Sequence, residues 1–280
     1  MRLAISSIAW DISEDEDVAS LLKRHRVDAI DVVPGKYFPE PAKATDEEVA
    51  KVKNWWADRG IEITGMQALL FGTTGMNVFG SHAIQDAMLK HLAAVCRVGA
   101  GLGATRLVFG SPKNRDRNGL SDEQAMNIAV PFFRRLGEVA LSYGVVICLE
   151  PNPLCYGANF MTTSAETAEV VRQVALPAIR MQLDTGAIMI NGEDIVAVAK
   201  LHNDGSLIGH IHASEPDLVP LGEGGVNHAT VAACLKQLLP EHIVSIEMLA
   251  TRNELHLVSI ERALDVAIRC YRNDDSERIV

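Results

Sequence analysis

A single (β/α)8 barrel is the fold this sequence predicts, and three observations predict it. Short β-branched runs alternate eight times with longer stretches of helical period. The chain has 280 residues, which suits one barrel of about 250 residues with short extensions. Glu150, Asp184, His212 and Glu247 end the last four strand-like runs, one each, at intervals of 34, 28 and 35 residues. About 31 residues per strand–helix unit are expected when such a barrel is divided by eight. The alternation implies a parallel sheet, and eight units in one domain's worth of residues imply closure. The class is therefore α/β, a single-domain TIM barrel over residues 1–272, with a frayed polar tail at 273–280.

The strands predicted in order are Leu3–Ala9, Ala29–Val33, Ile61–Leu69, Thr105–Phe109, Val145–Glu150, Ile179–Asp184, Leu207–His212 and Ile243–Glu247. Between them stand helix-start signals. Ser13-x-x-Glu16, Thr45-x-x-Glu48, Ser121-x-x-Gln124 and Thr163-x-x-Glu166 fit the capping box, in which hydroxyl and carboxylate or amide satisfy orphan N–H groups. Apolar residues then recur at helical spacing, as in Val18, Leu21, Leu22; Ile84, Met88, Leu92, Val95; Val170, Val171, Val174; and Leu257, Ile260, Leu264, Ile268. Glycine-rich stretches fall where loops belong, at 71–80, 99–104 and 222–225. No repeat and no linker divides the chain.

Hydrophobic residues make up 48% and charged residues 22% of the chain, so a large core is affordable and disorder is not expected. The formal charge of −10 argues against nucleic acid as a partner. No apolar run reaches the roughly 18 residues of a membrane span, and the N-terminal run is too short for a signal sequence. The five cysteines are scattered and lack CxxC spacing, as expected of reduced thiols in a cytoplasmic protein.

Alternation along the strands sharpens the chemistry. On the fifth strand Val146, Cys148 and Glu150 share one face, while Val145, Ile147 and Leu149 form an apolar face for the helix layer. The same reasoning turns Gln182 and Asp184 inward on the sixth strand, and Ser245 and Glu247 inward on the eighth. Polar groups buried near the mouth need partners, and a divalent metal satisfies two Glu, one Asp and one His together. Taken singly, a strand-end acid is more often solvated and a buried His more often a core residue. Four in equivalent positions on consecutive strands favour the metal. On the seventh strand His210 and His212 both face inward, but a step of roughly 6.6 Å keeps them from sharing one ion. His212, nearer the mouth, is the expected ligand, and His210 a deeper hydrogen-bonded residue.

The set LEPNP, LDTGA, GHIHASEPD–GEGxxxH and IEM resembles the xylose-isomerase-like superfamily of sugar isomerases and epimerases, nearest the ketose 3-epimerases. The resemblance covers nearly the whole chain. It implies that Glu150, Asp184, His212 and Glu247 hold one divalent metal ion (Mn, Mg or Co, with Zn as a further choice). It also matches Glu215 to a second family acid that follows the metal His. The pattern breaks at Ala187, where the epimerases carry a His, and at Leu218, where they carry an Arg. Both family residues hold hydroxyls of a free ketohexose. A phosphorylated, acidic or otherwise modified sugar is therefore expected at least as much as a free ketohexose.

The resemblance further implies proton abstraction next to a carbonyl, with the metal stabilising an enediolate and with Glu150 and Glu247 as the acid/base pair. The residues expected around the substrate are Trp10, Lys36, Gln67, Asn152, Tyr156, His210 and Glu215, with Tyr37, Phe71, 111–113 and His228 as further wall candidates. The expected partner is a small sugar or sugar derivative, with association into a homodimer or homotetramer left open. A dehydratase or lyase on a related polyol or keto-acid would begin with the same step. An endonuclease IV-type repair nuclease needs further His and acid ligands on the earlier strands. Here the third strand ends in Gln67 and the fourth in 110–111. A non-catalytic sugar-binding barrel is argued against by the two intact glutamates.

Overall fold

The computed structural model describes residues 1–202, 205 and 207–272, so the tail expected at 273–280 lies outside the described residues. Eight parallel strands close in sequence order, β1 (Leu3–Ser6), β2 (Ala29–Val32), β3 (Glu62–Met66), β4 (Arg106–Phe109), β5 (Val146–Leu149), β6 (Ile179–Asp184), β7 (Ile208–Ser214) and β8 (Val244–Glu247), with β8 pairing back onto β1. The strands are short, yet β1 through β8 are almost wholly buried, because helices cover their outer faces and side chains fill the inside. Eight such units on one closed sheet make a single TIM-barrel domain.

The helical layer consists of α1 (Asp15–Arg24), α2 (Pro34–Tyr37), α3 (Asp46–Ala57), α4 (His82–Leu102), α5 (Asp122–Tyr143), α6 (Ser164–Val174), α7 (Thr185–Asn191), α8 (Ile195–Lys200), α9 (His228–Leu238) and α10 (His256–Tyr271). Complete capping boxes start α3 at Thr45 and α5 at Ser121. At α6 the Thr163 hydroxyl caps Glu166 N–H, but the Glu166 carboxylate accepts from Thr162 instead, at 2.7 Å from its N–H. The expected box at Ser13 does not form. Glu14 accepts from Asp11 N–H at 2.8 Å within a short 3-10 turn, and α1 begins only at Asp15. Helix faces predicted from spacing are buried at Val18, Leu21, Leu22, Met88, Leu92 and Val95, whereas Ile84 is exposed. Gly99 lets α4 lie close on the sheet, since an added Cβ there would stand 3.0 Å from Met66 Cε.

The first and third strand runs end well short of what the sequence suggests, and the second and fifth stop one residue early, at Val32 and Leu149. The first leaves the sheet after Ser6, where the Ser6 hydroxyl accepts from Ile8 N–H and the chain curls into a 3-10 turn. The third leaves at Met66, and Ala68 adopts a positive φ of 54° that takes the chain away from the ladder. The seventh runs longer, to Ser214, and register with β8 pairs Ser214 with Glu247. A shift between Met181 and Gln182 sets Asp184 directly beside His212. Without it these two side chains would not share a level.

Inward and outward faces follow the alternation. An added Cβ at Gly209 on β7 would stand 2.8 Å from Cys148 Sγ, so Cys148 points across the barrel rather than into the helix layer. Asp31 on β2 also points inward, over Gly65, where an added Cβ would fall 2.4 Å from its Oδ1. All five cysteines are free, with Cys155 exposed. Among the described residues no helix is long and apolar enough to cross a membrane.

Candidate metal centre at the barrel mouth

Glu150 follows β5, Asp184 closes β6, His212 lies in β7 and Glu247 closes β8. All four are buried, and each offers a ligand atom within 4.8 Å of the other three. His212 Nδ1 stands 3.2 Å from Glu247 Oε2 and 3.5 Å from Glu150 Oε1. Neither ring nitrogen of His212 is in a hydrogen bond, and neither is Glu150 Oε1. Buried polar atoms left open in this way are uncommon, and here they converge. Three carboxylates and one imidazole form an oxygen-rich donor set that fits a divalent cation.

The other oxygens are held by the protein. Asp184 is the N-cap of α7. Its Oδ1 accepts from Ala187 N–H at 2.7 Å and its Oδ2 from the Ser214 hydroxyl at 2.6 Å. Glu247 Oε1 accepts from Gln67 Nε2 at 2.6 Å, and Glu150 Oε2 from Asn152 Nδ2 at 3.3 Å. Below this layer, His210 Nε2 lies 2.7 Å from Asp31 Oδ2, while His212 Nε2 lies 3.8 Å from the same oxygen. Asp31, His210 and His212 are themselves close enough to hold an ion. His210 and Asp31 already satisfy each other, so this trio reads as support for His212.

Without a counter-ion the cluster is electrostatically strained. Burial pushes the Asp184 carboxyl up to about 7, reinforced by the charges of Glu247 and Glu150. Burial alone would lower His212, but Glu247 foremost, then Asp31 and Glu150, carry it well above the usual imidazole value. Glu247 is also desolvated, yet His212 and the Gln67 amide hold it below the ordinary carboxylate range. The same cause acts throughout. Three carboxylates have been brought together away from water, and positive charge relieves them, whether from His212, from protons or from a cation.

A cavity of about 470 Å³ opens above the cluster and is lined by Gln67, Glu150, Asn152, Tyr156, Asp184 and Glu247 among others. A larger cavity, about 620 Å³, opens at the opposite end of the barrel and contains none of the four. The smaller one is the candidate site, because residues at the C-terminal ends of the strands point into it. Gln67, Asn152 and Tyr156 thus stand where the sequence puts them, and the Tyr156 hydroxyl also accepts from Asp217 N–H at 2.7 Å.

Four other expected residues do not reach the cavity. Trp10 is buried edge-on against Trp56, with Nε1 donating to Asp15 Oδ1 at 2.7 Å, because the 3-10 turn before it swings the ring into the helix layer. Lys36 is half-buried and donates to the carbonyls of Ser7 and Trp10. His210 lies beneath the cluster on Asp31. Glu215 is turned into its own loop, accepting from Gly222 N–H at 2.7 Å and Val226 N–H at 2.9 Å, with His228 Nε2 at 3.0 Å. His228 in turn meets the Tyr271 hydroxyl at 2.6 Å and is likewise away from the mouth. Glu215 is a clamp on the loop after β7. Glu215→Ala is expected to cost about 2–4 kcal/mol of stability through the donors it leaves unpaired, as measured by denaturant unfolding of the metal-loaded protein.

Sequence reasoning passed over Asp31, although an acid inside the apolar run AIDVV is a signal. It also passed over Ser214 on Asp184, and Arg115, which is fully buried and donates to Asn152 Oδ1 at 2.5 Å.

Comparison with known proteins agrees with the barrel fold. A family model described as the xylose isomerase-like TIM barrel matches residues 19–273. The chain belongs to this family. Its barrel superposes on D-psicose 3-epimerase in the presence of D-fructose with a TM-score of 0.80 at 16% identity, covering 98% of this chain and 100% of that one. It superposes on the 3-keto-D-glucoside 4-epimerase YcjR from E. coli with a TM-score of 0.77 at 16% identity, covering 96% and 100%. The IolI protein with a zinc atom gives 0.75 at 19% identity, covering 97% and 98%. At these identities the likeness shows the fold alone. An uncharacterized protein, MJ1311 of Methanocaldococcus jannaschii, is 30% identical over 115 residues, a match spanning 39% of this chain and 39% of the relative's own length.

Proposed function

We propose that this barrel is a divalent-metal-dependent isomerase or epimerase that removes a proton next to the carbonyl of a sugar or sugar derivative. The observation that carries the reading is the pair of glutamates. Glu150 and Glu247 enter from β5 and β8, the strands flanking β6 and β7, and approach the same imidazole nitrogen at 3.5 and 3.2 Å. One carboxylate can take a proton from one face of a planar enediolate and the other return it to the opposite face. The metal, held by Glu150, Asp184, His212 and Glu247, supplies Lewis-acid polarisation when bound. Gln67 and Asn152 orient the two carboxylates, and Asp184 stays fixed by the α7 N-terminus and Ser214. Neighbouring structures described as epimerases of D-psicose and of a 3-keto-D-glucoside support the reaction class, and the zinc atom bound by IolI supports a metal in a barrel of this kind. Manganese, magnesium and cobalt suit the oxygen-rich set, and zinc is compatible with it.

The wall bears on the substrate. Ala187 and Leu218, where the resemblance to the epimerases breaks, both line the cavity. Among its lining residues Lys113 is the one cation, against Glu150, Asp184, Asp217 and Glu247. A dication leaves that balance negative, so a phosphate dianion is disfavoured. An uncharged, modified keto-sugar fits best. With one equivalent of metal per chain after chelation and reconstitution, a panel of ketoses, keto-glycosides, sugar phosphates and keto-acids is expected to give its best turnover on an uncharged modified sugar. Sugar phosphates should be at least about tenfold poorer in kcat/KM, the effect of about 1.4 kcal/mol. Metal-independent turnover, or a stoichiometry near three, would overturn the metal assignment. A free ketohexose or a sugar phosphate as the best substrate would overturn the substrate assignment.

A further inference from the structure

Glu150 occupies a space that no other side chain at position 110 would leave it. A Cβ added at Gly110 would stand 2.0 Å from Glu150 Oε2 and 3.0 Å from its Cδ. Gly110 has no positive φ, so its bareness serves space rather than backbone conformation. The carboxylate is then sided. Oε2 accepts from Asn152 Nδ2 at 3.3 Å, whereas Oε1 has no hydrogen bond and faces His212 Nδ1 at 3.5 Å.

What decides which end of the Asn152 amide faces Glu150 is Arg115. A guanidinium only donates. The amide atom within 2.5 Å of Arg115 Nη2 must therefore be the oxygen, and the NH2 is left to point at Glu150. Arg115 sits behind the cavity wall with no solvent exposure, and its Nε and Nη1 have no partner. A cation so placed is expensive to bury. Burial pushes it down to about 10, opposed by the charge of Glu150. Its loop is bolted in place, since Asn114 donates to Met76 O at 2.8 Å and accepts from Ser111 at 2.6 Å.

We propose that Arg115 is a positioning residue which, through Asn152 and with the space left by Gly110, holds Glu150 with Oε2 tied to the wall and Oε1 presented to the metal cluster. This rests on the functional reading above only for the identity of the cluster. Orienting partners of metal ligands are typically worth 10–100-fold in metal affinity or activity. The test is calorimetric Mn(II) binding to chelated full-length protein, with thermal melting alongside. Arg115→Met keeps the bulk and removes the charge. Its metal-free form is expected to melt within about 2 °C of the parent, because the substitution removes a single hydrogen bond together with two buried nitrogens that have no partner. Its Mn(II) affinity should fall at least about tenfold. Gly110→Ala alters no charge and should weaken Mn(II) binding by a similar factor. Arg115→Lys, which can still donate to Asn152 Oδ1, should recover affinity to within about threefold of the parent.

A purely structural Arg115 predicts that affinity follows melting temperature across the variants, and that result would overturn the proposal. Parental Mn(II) affinity in Gly110→Ala would overturn it too, including when Arg115→Met fails to fold. A parent that binds no Mn(II) would overturn both this inference and the functional reading. A parent that binds normally alongside variants that are unchanged would overturn this inference alone.

Discussion

Glu150→Gln and Glu247→Gln are each expected to lose turnover on the order of 10²–10⁴-fold with the site saturated in metal, the range assigned to a general acid or base. The substitution keeps shape and removes the proton-accepting charge, so the loss should appear in kcat more than in KM. The two variants should still differ in their metal binding. Glu247 is held by a short bond to Gln67, at 2.6 Å, whereas Glu150 has a longer one from Asn152, at 3.3 Å. In Glu247→Gln the new amide can present its oxygen to Gln67 and keep its place. In Glu150→Gln the oxygen must choose between Asn152 and the cluster. In D2O the parent should incorporate solvent deuterium at the carbon next to the carbonyl, and each variant should do so more slowly by the same factor as turnover. Asp184→Asn should act through metal occupancy and respond to excess ion, because both of its oxygens are already tied to the protein. Parental exchange in either glutamate variant would refute the two-base proposal. Retention of the substrate hydrogen without exchange would favour a hydride shift instead.

The barrel and its metal-like cluster were legible for a physical reason. Short β-branched runs in a helical alternation specify parallel strands, and the end of such a strand points a side chain into the mouth whatever lies elsewhere. Glu150, Asp184, His212 and Glu247 needed only that rule. The rest of the wall depends on torsions and contacts that no single segment encodes. Trp10 lies one residue beyond a turn that redirects it, and Lys36 finds two carbonyls of the loop after β1. Glu215 looked like a substrate acid because it follows the metal His closely. Its oxygens are instead taken by N–H groups seven and eleven residues ahead. Arg115 and Asn152 meet across two loops, 37 residues apart. The shift that levels Asp184 with His212 is a property of two paired strands, not of either one.

Metal-free protein is expected to lose stability as pH rises from 6.5 to 8, and metal-loaded protein to gain it. Asp184 is raised to about 7 in the fold by burial and by its two neighbouring glutamates, from an ordinary 3.8. His212 is raised well above 6.5, with Glu247 the leading cause against its burial. Both therefore bind protons more tightly folded than unfolded. Their contribution is complete below the unfolded values and is lost as pH rises through the folded ones, at up to about 1.4 kcal/mol per pH unit for each proton retained. One group of opposite sign falls within this window, the partly buried Met1 amino group, which burial lowers from 8.0, and it offsets only part of the loss. The others act elsewhere on the scale. Glu247 and Asp31 are lowered and matter only as pH falls into the carboxylate range. Burial lowers His242, so its contribution is complete above 6.5 and lost only below it. Over 6.5 to 8 the net loss should be on the order of 2 kcal/mol, or about 4 °C in melting temperature. Mn(II) replaces those protons as the counter-charge, so its affinity should rise up to about tenfold per pH unit for each proton released. Melting of EDTA-treated and Mn-loaded samples across this range tests both slopes. Asp184→Asn separates the two groups, because it should remove the Asp184 share of the metal-free slope and leave that of His212, while lowering Mn(II) affinity. A metal-free melting temperature that climbs from 6.5 to 8 would mean that Asp184 and His212 do not hold their protons in the fold, and that the cluster is not poised to exchange them for a cation.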